Sequence, residues 1–160
     1  MEQAKPKIIL DEKAAYAKAE YFCAYQERAQ QEVRDKLYEY GLHQNAVESI
    51  ISTLITEGFI NEERFAKAYA RGKFNQKGWG KIKIKQGLKF KKVPDVLIKK
   101  ALLTISGDDY IQMLQKVLAK KAALITEKNA YKRNYKLQQY AMSRGFEADL
   151  IADVLKELVD

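Results

Sequence analysis

One arrangement of apolar positions occurs three times along the chain. In its first copy Val33, Leu37, Leu42, Val47, Ile50, Ile51 and Leu54 stand around Gly41; in its second Ile84, Leu88, Val93, Ile98, Ala101, Leu102 and Ile105 stand around Lys92. The third places Leu137, Ala141, Phe146, Ile151, Val154, Leu155 and Leu158 around Gly145. Spacings of i, i+4 before each pivot and i, i+3, i+4, i+7 after it put these side chains on one stripe of each of two successive helices. Each copy is therefore predicted to end in a helical hairpin.

A third helix is predicted before each hairpin. Tyr16, Ala17 and Ala19 align with Phe65, Ala66 and Ala68, and Leu114, Val117 and Leu118 lie at a similar distance before the third pair. Asp11, Asn61 and Asp108 are placed as N-caps, with Glu12, Glu62, Glu63 and Asp109 favouring the positive first turns. Gly41 and Gly145 suit the left-handed position that closes a helix, and Pro94 suits the first position of the next. A lysine held left-handed at Lys92 costs about 1 kcal/mol, which predicts a differently built turn there. The expected fold is all-α: three tandem three-helix repeats, spanning residues 1–57, 58–106 and 107–160. Units this small bury too little surface alone and pack on their neighbours as an elongated array.

One segment conflicts with this pattern. Lys81-Ile82-Lys83-Ile84-Lys85 alternates with period two, as a half-buried strand does, and Gly87 weakens a helix by about 1 kcal/mol relative to alanine. The repeat decides for helix, because Ile84 and Leu88 occupy the places of Val33 and Leu37. Composition agrees. Of 160 residues only two are proline and eight glycine, and 47% are apolar, enough for a core.

Charge is concentrated in the middle copy. Residues 1–58 carry a net −3, residues 59–107 a net +10 and residues 108–160 a net +1. Arg71, Lys73, Lys77, Lys81, Lys83, Lys85, Lys89, Lys91 and Lys92 follow one another without an acid between them. Such a field attracts phosphate or an acidic protein surface, and it sets encounter and non-specific binding rather than fold. Trp79, between Gly78 and Gly80, serves either as a stacking or contact residue or as an anchor of the turn. Tyr131-Lys132-Arg133-Asn134-Tyr135-Lys136 interleaves aromatic and basic residues as single-strand binders do, and also as ordinary helix packing does. Arg28, Arg34 and Arg144 fall near turns, where an arginine binds home carbonyls or acids as readily as a partner. Tyrosines 16, 21 and 25 are read as inter-helix packing with wet hydroxyls.

Catalytic constellations are absent from the sequence. Cys23 is the only cysteine and lies in an apolar-aromatic stretch, His43 is the only histidine, and together they supply no zinc set. The glycines at 72, 78, 80 and 87 form no phosphate-binding loop. No enzyme and no cofactor is expected. Met1 to Pro6 contains no apolar export segment, and no apolar run approaches the ~20 residues of a membrane span. A cytoplasmic monomer is expected.

Four stretches in order carry a resemblance: Arg28…Glu32-Val33-Arg34-Asp35-Lys36-Leu37…Gly41-Leu42, Gly58-Phe59-Ile60-Asn61-Glu62-Glu63-Arg64-Phe65-Ala66, Trp79-Gly80-Lys81…Ile84…Leu88, and Ser143-Arg144-Gly145-Phe146…Ile151. From about residue 14 to the end the chain resembles the RecX family of recombinase regulators. Gln30 and Lys92 depart from that family's usual serine and glycine. The resemblance implies three three-helix repeats in a curved, elongated molecule without enzymatic activity. It also implies binding to the RecA recombinase, chiefly as its filament on single-stranded DNA, and restraint of its ATPase, strand-exchange and coprotease activities in repair and recombination. Some members contact DNA directly and some stimulate the recombinase, so the sign of the effect stays open. Two other readings stand beside it: a stand-alone nucleic-acid-binding module, and a helical scaffold for another acidic protein.

Overall fold

A computed structural model of the chain describes residues 9–159. The expectation drawn from Met1 to Pro6 falls outside the described residues. Among the described residues there are nine helices and no strand: α1 (Glu12–Tyr25), α2 (Gln30–Glu39), α3 (Gln44–Thr56), α4 (Glu62–Lys77), α5 (Lys81–Phe90), α6 (Asp95–Leu102), α7 (Gly107–Ala122), α8 (Ala130–Ser143) and α9 (Ala148–Val159). Lys81 to Lys85 is helical, so burial of Ile84 and Leu88 overrides the local alternation.

Among the described residues, side-chain caps mark four helix starts, those of α1, α4, α7 and α8. Asp11 and Asn61 accept the backbone N–H groups of Ala14 and Arg64, as their spacing predicts. At α7 the prediction fails by two residues. Ser106 is the cap and accepts from Asp109, while Asp108 and Asp109 lie in the first turn, where the helix dipole favours them. Pro94 likewise sits at the N-cap of α6 and not inside it.

The three hairpin turns are built alike. Gly41, Lys92 and Gly145 have φ of 85°, 60° and 99°. Their N–H groups donate to Tyr38, Lys89 and Met142, and the next residues, Leu42, Val93 and Phe146, donate to Leu37, Leu88 and Ala141. The expectation of a different turn at Lys92 is therefore wrong: the lysine accepts the left-handed strain, and the flanking helices hold it there.

The register of the first helices also needs correction. Ala15, Ala19 and Cys23 are the buried positions of α1, and Ala66, Ala70 and Phe74 are their equivalents in α4. Tyr16 is only half-buried and Ala17 and Ala68 are exposed. In α7 the buried set is Tyr110, Leu114 and Leu118. Leu158, assigned to the third stripe, is exposed.

Helix pairs in extensive contact all fall within α1–α3, α4–α6 or α7–α9, so the triples are joined in series. Their cores are unequal. The first triple packs around its own cluster, closed by Ile60 from the start of the second. The second and third share one continuous cluster, into which the first inserts the fully buried Ala29. Backbone hydrogen bonds fasten the second junction: Gly80 N–H donates to the Arg144 carbonyl and Ile82 N–H to the Gly145 carbonyl. At the first junction ion pairs stand instead, between Arg64 and Glu27 and between Lys91 and Glu32.

Candidate partner-binding surface

The basic run divides over two faces of the second triple. On one, Trp79 is half-buried at the turn between α4 and α5, its backbone N–H donating to the Lys73 carbonyl. The Lys73 and Lys83 ammonium groups lie 4.8 Å and 4.6 Å from its ring centroid. Lys81 lies over Tyr110 in the same way, at 4.8 Å. Trp79 is thus both an anchor and an accessible ring clasped by two cations.

The other face is the outer side of the α5–α6 hairpin. Ile82, Lys85, Gln86, Lys89 and Phe90 recur at i, i+3, i+4, i+7 and i+8 and are all exposed. Along α6 the outward residues are Val96, Lys99, Lys100 and Leu103. Phe90 is 88% exposed, Leu103 73% and Val96 67%. Sequence periodicity missed these apolar residues because they lie off the buried stripe; their signal was a large apolar residue out of phase.

Few of these cations are neutralised. Within the run only Lys89, 4.0 Å from Asp95, and Lys91, 3.5 Å from Glu32, reach an acid among the described residues. Arg71, Lys73, Lys77, Lys81, Lys83, Lys85 and Lys92 pair with none. Unpaired, partly exposed lysines keep their full charge for a partner. Lys132 is exposed on α8 and also pairs with no acid among the described residues.

The four candidate arginines outside the run are engaged within the fold. Arg28 donates from Nε to the Phe22 carbonyl at 3.0 Å with its guanidinium stacked 3.7 Å from the Phe22 ring. Arg133 donates to the Ala122 and Ile125 carbonyls at 2.7 and 3.0 Å. Arg144 donates to the Lys77 carbonyl, while its Nε is buried without a partner. Each of the three reaches the last turn or end of a neighbouring helix, where carbonyls lack intrahelical donors and the dipole favours a cation. Arg34 is bound to Glu48 by two bonds and to Gln30 and Gln31. The Glu48 bond raises the Arg34 pKa above its ordinary value and lowers that of Glu48.

Nothing in this surface supports acid–base or metal chemistry. Groups of three or more metal-ligating side chains are lacking among the described residues, and burial pushes the Cys23 thiol up to about 11, which suppresses its nucleophilic form. No helix among the described residues is long and apolar enough to cross a membrane.

Comparisons with known proteins identify the architecture. Family models described as the first, second and third three-helix domains of RecX match residues 15–54, 61–102 and 108–155. A regulatory protein RecX of Clostridium acetobutylicum is 31% identical over 94% of this chain and 72% of its own length. One of Bacillus mycoides is 27% identical over 99% of this chain and 60% of its own. The crystal structure of RecX from Lactobacillus salivarius superposes with a TM-score of 0.85 at 27% identity, covering 92% of this chain and 96% of that one. Three units of matching fold, in matching order over nearly the whole chain, place this protein in the RecX family, a family of regulatory proteins and not of enzymes.

Proposed function

We propose that the chain regulates the RecA-type recombinase of its cell by docking on the filament that the recombinase forms on single-stranded DNA, and that it restrains the filament's ATPase, strand-exchange and coprotease activities. The observation that carries this reading is the mixed character of the α5–α6 hairpin, where Phe90, Val96 and Leu103 stand exposed among Lys85, Lys89, Lys99 and Lys100. Exposed apolar side chains of this kind, the aliphatic Val96 and Leu103 above all, gain little from a sugar-phosphate backbone and much from a protein surface. The lysines supply attraction to acidic residues or to the phosphates the filament carries. In this reading a monomer of three units, divided near residues 57 and 106, works in the cytoplasm without a cofactor.

A second reading, a stand-alone nucleic-acid module, draws on the unpaired cations and on Trp79 between Lys73 and Lys83. One titration separates the two. Added to recombinase turning over ATP on single-stranded DNA, the protein should lower the ATPase rate saturably. Phe90→Ala with Val96→Ala should remove the effect without changing binding to bare DNA. An unchanged ATPase rate at saturating protein would reject the regulator reading.

A further inference from the structure

The first triple contains an aromatic and basic cleft that the basic run does not reach. It lies between the second half of α1 and the outer side of α2, has a volume of about 630 Å³, and is lined by Tyr21, Tyr25, Phe22, Arg28, Lys18 and Lys36, with Tyr40 at one end. Tyr21 and Tyr25, one turn apart on α1, are 74% and 73% exposed, which overturns their reading as inter-helix packing. Cations stand close to the rings. Arg28 is stacked on Phe22 at 3.7 Å, Lys36 lies 5.6 Å from the same ring, and Lys18 lies 5.8 Å from Tyr40.

Comparison within the molecule shows that the cleft is not a by-product of the repeat. A shift of 51 residues, from Gly41 to Lys92, carries Arg28 onto Trp79, Phe22 onto Lys73, Lys18 onto Tyr69 and Lys36 onto Gly87. The first pair keeps its cation–ring contact with the partners exchanged, Arg28 over Phe22 in one triple and Lys73 over Trp79 in the other. The second pair differs in kind. The hydroxyl end of Tyr69 lies against Gly87, so closely that a Cβ there would meet its oxygen at 2.0 Å, and this fills the space. In the first triple two lysines occupy those places and the space is open.

We propose that this cleft binds an unpaired nucleotide of a single strand, with Tyr21 or Tyr25 stacking on the base and Lys18, Arg28 and Lys36 holding the adjacent phosphates. The charge supports that occupant. No acid lines the cleft, although the triple as a whole is acidic: Glu27, Glu48 and Glu57 are held elsewhere by Arg64, Arg34 and Tyr16. Glu39 pairs with Lys36 at 3.3 Å, a surface contact that a phosphate can replace. Stacking platforms flanked by cations are how proteins hold single strands without reading sequence. The site would give the first triple its own grip on the strand, separate from the lysines of the second.

Binding of a fluorescently labelled oligo-dT to the full chain, in the absence of recombinase, tests this independently of the regulator reading. Tyr21→Ala with Tyr25→Ala should weaken binding about tenfold, the loss of one stacked base, and should leave the salt slope unchanged, because no phosphate contact is lost. Tyr21→Phe with Tyr25→Phe should bind as the parent does. Lys18→Ala with Lys36→Ala should instead flatten the slope. Parent-like affinity of the double alanine variant with native helix content, or no measurable binding by the parent, would overturn the proposal. So would a double alanine variant that binds the strand normally and fails only with recombinase, since the cleft would then dock protein.

Discussion

The backbone N–H of Gly80 donates to the carbonyl of Arg144 at 2.8 Å, and this short bridge joins the second triple to the third. A Cβ at Gly80 would lie 2.3 Å from the carbonyl oxygen of Gly145, and one at Gly145 would lie 2.4 Å from the Lys83 Cβ. Two glycines therefore let two turns meet backbone to backbone. Gly80→Ala should destabilise the chain by roughly 1–3 kcal/mol, the usual cost of overpacking. Thermal denaturation should show this as a lower Tm; a Tm equal to the parent's would mean that the junction is looser than its geometry.

Lys92 presents the opposite case. It takes φ of 60° with a Cβ, and among the described residues its N–H donates to Lys89 within its own hairpin, with no backbone hydrogen bond to it from another triple. Lys92→Gly should relieve left-handed strain of about 1–2 kcal/mol against a glycine entropy cost of about 0.4–1. A net gain of about 0.5–1 kcal/mol is expected in chemical denaturation, and a loss of stability would show that the Lys92 side chain is held by something more.

Much of the architecture was legible in the sequence, and each residue that was not has its own physical reason. Val33 and Leu37, Ile84 and Leu88, and Leu137 and Ala141 are buried as their spacing requires. In α1 Ala15, Ala19 and Cys23 fill the core while Tyr16 packs only at its edge and Tyr21 and Tyr25 face out, so aligning Tyr16 with the buried Phe65 gave the wrong register. Ser106 outcompetes Asp108 as a cap because the helix begins one residue after it, a boundary that acids in the first turn blur. Docking through Gly80 and Gly145 uses main-chain atoms, which every residue has. Arg144 was legible as a turn residue and Arg133 only as part of an aromatic-basic stretch, and the carbonyls they bind come from other elements and leave no local trace.

Tyr110 links the same two triples through its side chain. Its hydroxyl accepts from the Lys81 N–H at 2.9 Å and donates to Glu147 at 2.5 Å, while the ring packs between Phe74 and Phe146. Burial first, and the Glu147 hydrogen bond second, raise its pKa above the ordinary tyrosine range. A raised pKa in the folded state gives stability that is present below the unfolded value near 10 and is lost as pH rises above it. Melting temperature should hold to about pH 9 and fall at higher pH. Tyr110→Phe should lower stability at neutral pH by about 1–2 kcal/mol and make the alkaline decline shallower. An unchanged alkaline limb would assign the decline to other groups.

Replacement of Lys83, Lys85 and Lys89 by glutamate tests the basic face. Lys85 and Lys89 are exposed and should be replaceable within about 0.5 kcal/mol each. Lys83 gives up its place at Trp79, a loss of about 0.5–1 kcal/mol. The variant should therefore fold, with nearly native helix content by circular dichroism, and should no longer affect the recombinase. Normal regulation by the folded variant would place the interface elsewhere.

In the proposed function the second triple engages a protein-coated strand and not merely phosphate. The most direct test is a pair of binding titrations, to recombinase-coated and to bare single-stranded DNA, from low to physiological salt. If about five phosphates were neutralised on bare DNA, log K would fall with log salt at a slope of about −3.5. Contacts of Phe90, Val96 and Leu103 with protein would be screened far less, so tighter binding to the coated strand is expected, with a gap that widens as salt rises. Equal affinities and equal slopes on the two strands would contradict it.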